Sequence, residues 1–265
     1  MVIAIVGGLI VGLLVGSLGG GGAILAVPLL TFGLGLPPHE ATVASLVVVG
    51  TGALAGIAQR GTSSSTGTGT GTSIRFTLGI AFGLAGLPGA FLGSRVAGMV
   101  DEDVLMSLFA VILAVVAFTM FRGTRSENAA ETGDRRAPKW RTRAVTLATA
   151  TATGFLTGMF GVGGGFLVVP ALTIALGVPI TSAVGTSLVI VAINGAISLG
   201  LHAETATSLP WPAIAAMSAA TVAGAFAGTA VSRRVEPRTL KLAFAGILLV
   251  VALATAAQSL PRVLG

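Results

Sequence analysis

The chain of 265 residues contains no cysteine, and only 9% of its residues carry charge. Without cysteine there is no disulfide, no thiol nucleophile and no thiolate-held metal. A soluble domain usually carries about 25% charged residues, so this composition, 54% hydrophobic, excludes an ordinary soluble globular chain. Acids are scarcest of all. The nine are Glu40, Asp101, Glu102, Asp103, Glu127, Glu131, Asp134, Glu204 and Glu236, and all fall in loops or at the ends of apolar segments. No carboxylate is thereby offered as a midplane proton relay or cation ligand. The two histidines, His39 and His202, stand near Glu40 and Glu204 in connecting segments. Such pairs are too sparse for a metal site and read as solvated loop. No Walker motif is present.

What the chain has is apolar length. Hydrophobic segments lie near 2–32, 41–58, 76–100, 104–121, 144–176, 180–201, 209–231 and 240–257. About 20 residues suffice to cross the hydrocarbon core, and apolar residues run continuously, without the alternation of a barrel. The fold class is therefore an all-α polytopic membrane protein. The net charge of +6 does not imply nucleic acid, since seven of the fifteen Lys and Arg residues sit in one loop, Arg122 to Arg143. Basic loops are what cytoplasmic faces carry. The apolar N-terminus lacks a positive leader region and its pattern recurs mid-chain, so it reads as a retained segment.

One unit is written twice. "LVGSLGGGGAILAVPLLTFGLGLPPHEATVASL" (14–46) aligns without gaps on "LTGMFGVGGGFLVVPALTIALGVPITSAVGTSL" (156–188), with 16 identities in 33 positions. Glycines and prolines match glycines and prolines, which apolar composition alone does not produce. A later block, "GAFLGSRVAGMVDEDVLMSLFAVIL" (89–113), matches "GAFAGTAVSRRVEPRTLKLAFAGIL" (224–248). The offset falls from 142 to 135, and the extra seven residues fit in "GTSSSTGTGTGT" (61–72). That Gly/Ser/Thr-rich stretch reads as a flexible loop. No strand precedes it, so it is not a nucleotide fingerprint. The organisation is a first four-segment repeat over 1–121, a basic cytoplasmic linker over 122–143, and a second repeat over 144–265. Internal repeats are a common build for secondary transporters.

The first segment of each repeat exceeds 30 residues, too long for one ordinary span. It is either a single discontinuous span or a re-entrant element folded at its glycines. If every segment crosses, the charges outside the linker divide as Arg60, Arg75 and Arg262 against Arg95, Arg233, Arg234, Arg238 and Lys241. If the first segment of each repeat returns, Arg60, Arg75, Arg233, Arg234, Arg238 and Lys241 share one face, against Arg95 and Arg262. The second division is the sharper, and three net crossings per repeat make the repeats inverted.

Glycine in a helix interior costs roughly 1 kcal/mol relative to alanine, so Gly19, Gly20, Gly21 and Gly22, and likewise Gly161, Gly163, Gly164 and Gly165, predict broken helices. Irregular backbone at membrane depth occurs only where protein or water satisfies it. A helix restarting after a break presents about four free N–H groups and a partial positive charge, and glycine lets a ligand approach closely. Two such turns facing one another would make an anion site from backbone alone. Close helix packing through small residues is the competing reading. Ser45, Thr186, Ser187 and Asn194 follow the breaks and could donate to the same anion, although buried hydroxyls often bond their own helix. Arg75 and Arg95 flank apolar segments and are expected to snorkel. Gly158, one turn before the second break, is expected to tolerate alanine.

At "GSLGGGGAILAVPLL" and "GMFGVGGGFLVVPAL", with the following "LPPHEATVASL" and "VPITSAVGTSL" and the later "GAFLGSRV" and "GAFAGTAV", the chain resembles the TauE/SafE family of sulfite and organosulfonate exporters. The resemblance implies secondary transport of a small anion, sulfite or an organosulfonate, in the direction of export. A passive anion channel and an uptake carrier are the alternatives. One departure is Ala23, where the second repeat has Gly165. A separate thiosulfate-uptake family relies on membrane cysteines, which this chain lacks. An intramembrane enzyme using Ser187 would need a positioned base, and no histidine lies within an apolar segment. The expected partners are the lipid bilayer and a small inorganic or organic anion. A homodimer is compatible with the sequence, and no cofactor or metal is called for.

Overall fold

The computed structural model describes residues 1–64, 74–97, 99–122, 139–160, 165–201 and 209–264. The regular structure of the described residues is all helical, with no strand among them. In chain order the helices are α1 (Val2–Leu18), α2 (Ala23–Pro28), α3 (Pro38–Ser64), α4 (Phe76–Ala97), α5 (Glu102–Arg122), α6 (Lys139–Phe160), α7 (Gly165–Pro170), α8 (Ile180–Leu201), α9 (Trp211–Ser232) and α10 (Pro237–Leu264). Six helical stretches, Val2–Gly33, Glu40–Arg60, Phe76–Ala97, Val104–Arg122, Ile180–Gly200 and Trp211–Ser232, are long and apolar enough to cross a bilayer. Large apolar side chains such as Phe91 and Val250 point outward, as a lipid-facing surface requires. The described acids sit where helix dipoles favour them, Glu40 in the first turn of α3 and Glu236 just before α10.

The stretch 2–33 is continuous in apolarity but not in direction. α1 ends at Gly19, whose φ of 71° only glycine adopts readily. A 3₁₀ turn over Gly19–Gly22 follows, then α2. A β-carbon placed on Gly22 would meet Val15 and Val11, one on Gly7 would meet Leu29, and one on Gly33 would meet Ile3. Later residues of the stretch thus lie beside progressively earlier ones, so α1 and the stretch after it run antiparallel.

Pro28 and Pro170 end α2 and α7, and each is followed by a π turn, Leu29–Gly33 and Ala171–Ala175. Proline lacks the N–H that an α-helix needs there, and the wider turn accommodates the lost bond. Gly35 and Gly177, with φ of 70° and 60°, then stop the helices. The Leu36 N–H bonds the Leu30 carbonyl and the Val178 N–H the Leu172 carbonyl. These features recur 142 residues apart.

Glycine seams set the helix directions. Gly8, Gly12 and Gly16 of α1 press on the backbone of Met217, Thr221 and Ala225 of α9, so these helices are parallel. Gly52 faces Thr221 and Arg60 bonds Ser232, so α3 is parallel to α9 as well. α1 and α3 therefore point the same way, which requires the chain to reverse between them. On the other side Gly154 and Gly158 of α6 press on the backbone of Gly86 and Ala90 of α4, and Gly79 of α4 faces Val189 of α8, again parallel. α3 and α8 are antiparallel, since Gly56 faces Leu188 while Gly195 lies near the Leu46 carbonyl. The core divides into two apolar clusters, one around Phe82, Phe109, Phe166 and Phe244, the other around Val11, Leu30, Val48 and Leu188.

Two expectations are corrected here. Gly158 does not tolerate alanine, because its β-carbon would run into the Ala90 carbonyl, a backbone group with no rotamer to yield. Arg60 is not a charge of the solvated face: it is 4% exposed, within α3. The flexible loop expected at 61–72 and the linker at 122–143 lie largely outside the described residues.

Candidate functional site

The 3₁₀ turn is buried at all four glycines. Each is glycine for a separate reason. A β-carbon on Gly19 would strike Ser187 Oγ and lie 2.8 Å from the Val184 carbonyl; one on Gly20 would strike the Gly165 backbone; one on Gly21 would strike the Phe244 ring. Gly165 in turn faces the backbone of Gly20. The first turn therefore meets the start of α7 backbone to backbone, in contact with α8. Gly161, Gly163 and Gly164 lie outside the described residues.

α8 supplies the polar side chains at the turn. The Gly20 N–H donates to Ser187 Oγ at 3.1 Å, and Ser187 Oγ–H donates to the Val184 carbonyl at 2.8 Å. The Ser187 hydroxyl thus satisfies one N–H of the turn and spends its proton on its own helix. Thr186, fully buried, accepts from the Arg75 N–H at 3.2 Å, closing the entry to α4 against α8. Ser45, 142 residues before Ser187, donates to the Thr42 carbonyl at 2.7 Å and lines a small cavity with Ala23 and Gly195.

Asn194 stands apart from the turn, in a second cavity against α4 and α6 that also contains Thr157. Asn194 Oδ1 and Thr157 Oγ1 have no hydrogen-bond partner. Each cavity holds about 10 Å³, room for a single water. Of the residues singled out from sequence, the structure thus gathers Gly19–Gly22, Gly165 and Ser187, turns Thr186 to the start of α4, and leaves Ser45 and Asn194 on separate cavities. Among the described residues no group of three His, Asp or Glu comes together.

Sequence reasoning missed Arg60. Its Nη2 donates to the Gly16 carbonyl and to Ser232 Oγ, both at 3.0 Å. Thr229 Oγ1 donates to the same carbonyl at 3.3 Å. Gly16 is among the last residues of α1, whose terminal carbonyls have no partner within the helix, so Arg60 caps the helix that ends at the turn. Beside it, Arg233 Nη2 donates to the Gln59 carbonyl at 2.8 Å. Sequence carries no local signal for this, since the apolar segment ends two residues earlier and the partners lie 44 and 172 positions away.

The family model for the sulfite exporter TauE/SafE matches residues 4–255. This chain belongs to the TauE/SafE family. A "Probable membrane transporter protein" of Xylella fastidiosa strain 9a5c is 36% identical over 199 residues, covering 75% of this chain and 72% of the relative. The "Probable membrane transporter protein YunE" of Bacillus subtilis is 26% identical over 261 residues, 94% of this chain and 95% of its own length. A further such protein, of Methanocaldococcus jannaschii, is 27% identical over 261 residues, covering 92% of this chain and 91% of its own. No solved structure matches. As a TauE/SafE member with six bilayer-length apolar helical stretches among the described residues, the protein is a multi-pass membrane protein of a transporter family.

Proposed function

We propose that this protein is a secondary transporter that exports a small anion, sulfite or an organosulfonate, bound near the midplane by backbone N–H groups of two glycine turns, 19–22 and 161–165. The observation that carries the reading is the turn at Gly19–Gly22. It is a buried interruption of an apolar helix, held against α8 and against Gly165 by contacts that leave no space for a β-carbon. The Gly20 N–H, held by Ser187 Oγ in this arrangement, would be offered to the anion when the turn and α8 part, where a helix N-terminus favours its charge.

In this reading the first segment of each repeat is re-entrant and the repeats are inverted, with 122–143 as a cytoplasmic linker between them. The parallel course of α1 and α3 supports the re-entrant turn, and the opposed course of α3 and α8 supports inversion. The Arg233–Gln59 bond supports placing the ends of α3 and α9 at one face, as the re-entrant charge division requires. Transport then consists of parting the two turns alternately toward each side, the π turns after Pro28 and Pro170 serving as hinges.

The test is a titration of detergent-purified protein with sodium sulfite and with methanesulfonate, followed by flux into liposomes. A valine side chain at Gly164 would block approach to the second turn, so Gly164→Val is expected to abolish binding and flux in a protein that still folds. Saturable flux with counter-exchange distinguishes a carrier from a passive channel. A Gly164→Val protein that binds sulfite as wild type does would place the anion elsewhere.

A further inference from the structure

Arg60 has more hydrogen-bonding capacity than its role as a helix cap uses. It is 4% exposed, yet among the described residues it pairs with no carboxylate, and its Nε–H is buried without an acceptor. Enclosing a cation is costly in desolvation unless a counter-charge compensates. The C-terminus of α1 offers only about half an elementary charge. Its fellow cation Arg233 lies beside it, which raises the imbalance.

The position matters as much as the charge. Arg60 reaches the Gly16 carbonyl, three residues before the glycine turn begins. On the opposite side a β-carbon on Gly185 would lie 3.7 Å from Arg60 Cδ. Two residues further along the same helix Ser187 holds the Gly20 N–H. The guanidinium therefore flanks the turn, between α1 and α8. The residue 142 positions on is His202, outside the described residues, so the second repeat has no arginine at that place.

We infer that Arg60 is the side-chain counter-charge of the transported anion, its Nε–H bonding an oxygen of a small oxyanion while Nη2 stays on Gly16 and Ser232. The inference rests on the transport reading above and assigns that site its cation. A guanidinium N–H suits a sulfur oxyanion because its bond to a charged oxygen is charge-assisted and short, and because arginine keeps its charge when enclosed. In the closed arrangement the Nε edge is covered by protein, and it becomes available when the turn and α8 part.

The experiment is a sodium sulfite titration of the purified full chain, with flux measured in liposomes, for wild type, Arg60→Gln, Arg60→Lys and Arg95→Gln. Arg95 stacks on the exposed Phe91 ring at 5.0 Å and serves as a surface control. Removing the charge is expected to weaken sulfite binding about 10- to 100-fold, since a hydrogen bond to a charged group is worth more than a neutral one. Arg60→Lys should fall between, and Arg95→Gln should match wild type. A folded Arg60→Gln protein that binds sulfite within twofold of wild type overturns the inference while leaving the transport reading intact. If Arg60→Gln does not fold, Arg60→Lys decides, and unchanged affinity there overturns the inference. Wild type that binds neither sulfite nor methanesulfonate overturns both.

Discussion

Alanine at Gly158 sets two effects of known size against each other. Gly158 lies inside α6, where alanine is favoured over glycine by up to ~1 kcal/mol through backbone entropy alone. Its new β-carbon, however, would occupy the position of the Ala90 carbonyl oxygen in α4, with Ala90 Cα and C also within 2.7 Å. Both sides of this contact are backbone, so the strain is relieved only by moving α6 away from α4. That motion opens the seam along Gly86, Gly89, Gly93 and Gly154, which all meet backbone of the facing helix. Overpacking of this kind typically costs 1–3 kcal/mol, so the packing effect wins and Gly158→Ala is expected to destabilise by about 1–2 kcal/mol net. Gly246→Ala in α10 is the counterpart, since nothing lies within 4 Å of its β-carbon position, and it should be neutral or stabilising by up to ~1 kcal/mol. Reversible unfolding in mixed micelles, followed by helical ellipticity against the mole fraction of SDS, reads both. The reasoning is refuted if Gly158→Ala is as stable as wild type, or if the two variants shift equally.

Two further outcomes follow from the arrangement. Single cysteines at Ser64 and Thr124 should label from the cytoplasmic side and one at Gly265 from the outside; labelling of Ser64 and Gly265 from the same side would refute the inverted arrangement. Deleting Ser63–Gly69 should leave expression and sulfite flux near wild type, because the second repeat lacks seven residues there; lost flux in a folded protein would make that loop a gate.

The local signals were legible in the sequence, and the cross-chain ones were not. Apolar length announced the helices, and the glycine run at 19–22 marked an interruption where a positive-φ glycine and a 3₁₀ turn stand. Pro28 and Pro170 were visible, but the π turns after them depend on how each helix relieves its proline, which periodicity does not encode. Gly158 was misjudged because propensity concerns one helix, whereas its limit is a carbonyl 68 residues away. Arg60 looked like a loop charge because it follows an apolar segment by two residues; its burial is decided by Gly16 and Ser232, at separations of 44 and 172 residues. The hydroxyls of Ser45 and Ser187 were legible as polar groups, but their bonds to Thr42 and Val184 follow from the helical geometry that carries them.

The glycine seams pair each early helix with one made much later: α1 packs against α9, and α6 against α4. During synthesis, at about 5–20 residues per second, α1 therefore waits roughly 10–40 s before residues 211–232 exist to cover its glycine face. Meanwhile its bare ridge of small residues faces lipid or any neighbouring helix that offers a similar groove. α6 has no such wait, because α4 is already in place when it emerges. Biogenesis is thus lopsided in time although the finished packing is even-handed, and a ribosome stalled before residue 211 would leave the glycine face of the opening segment uncovered.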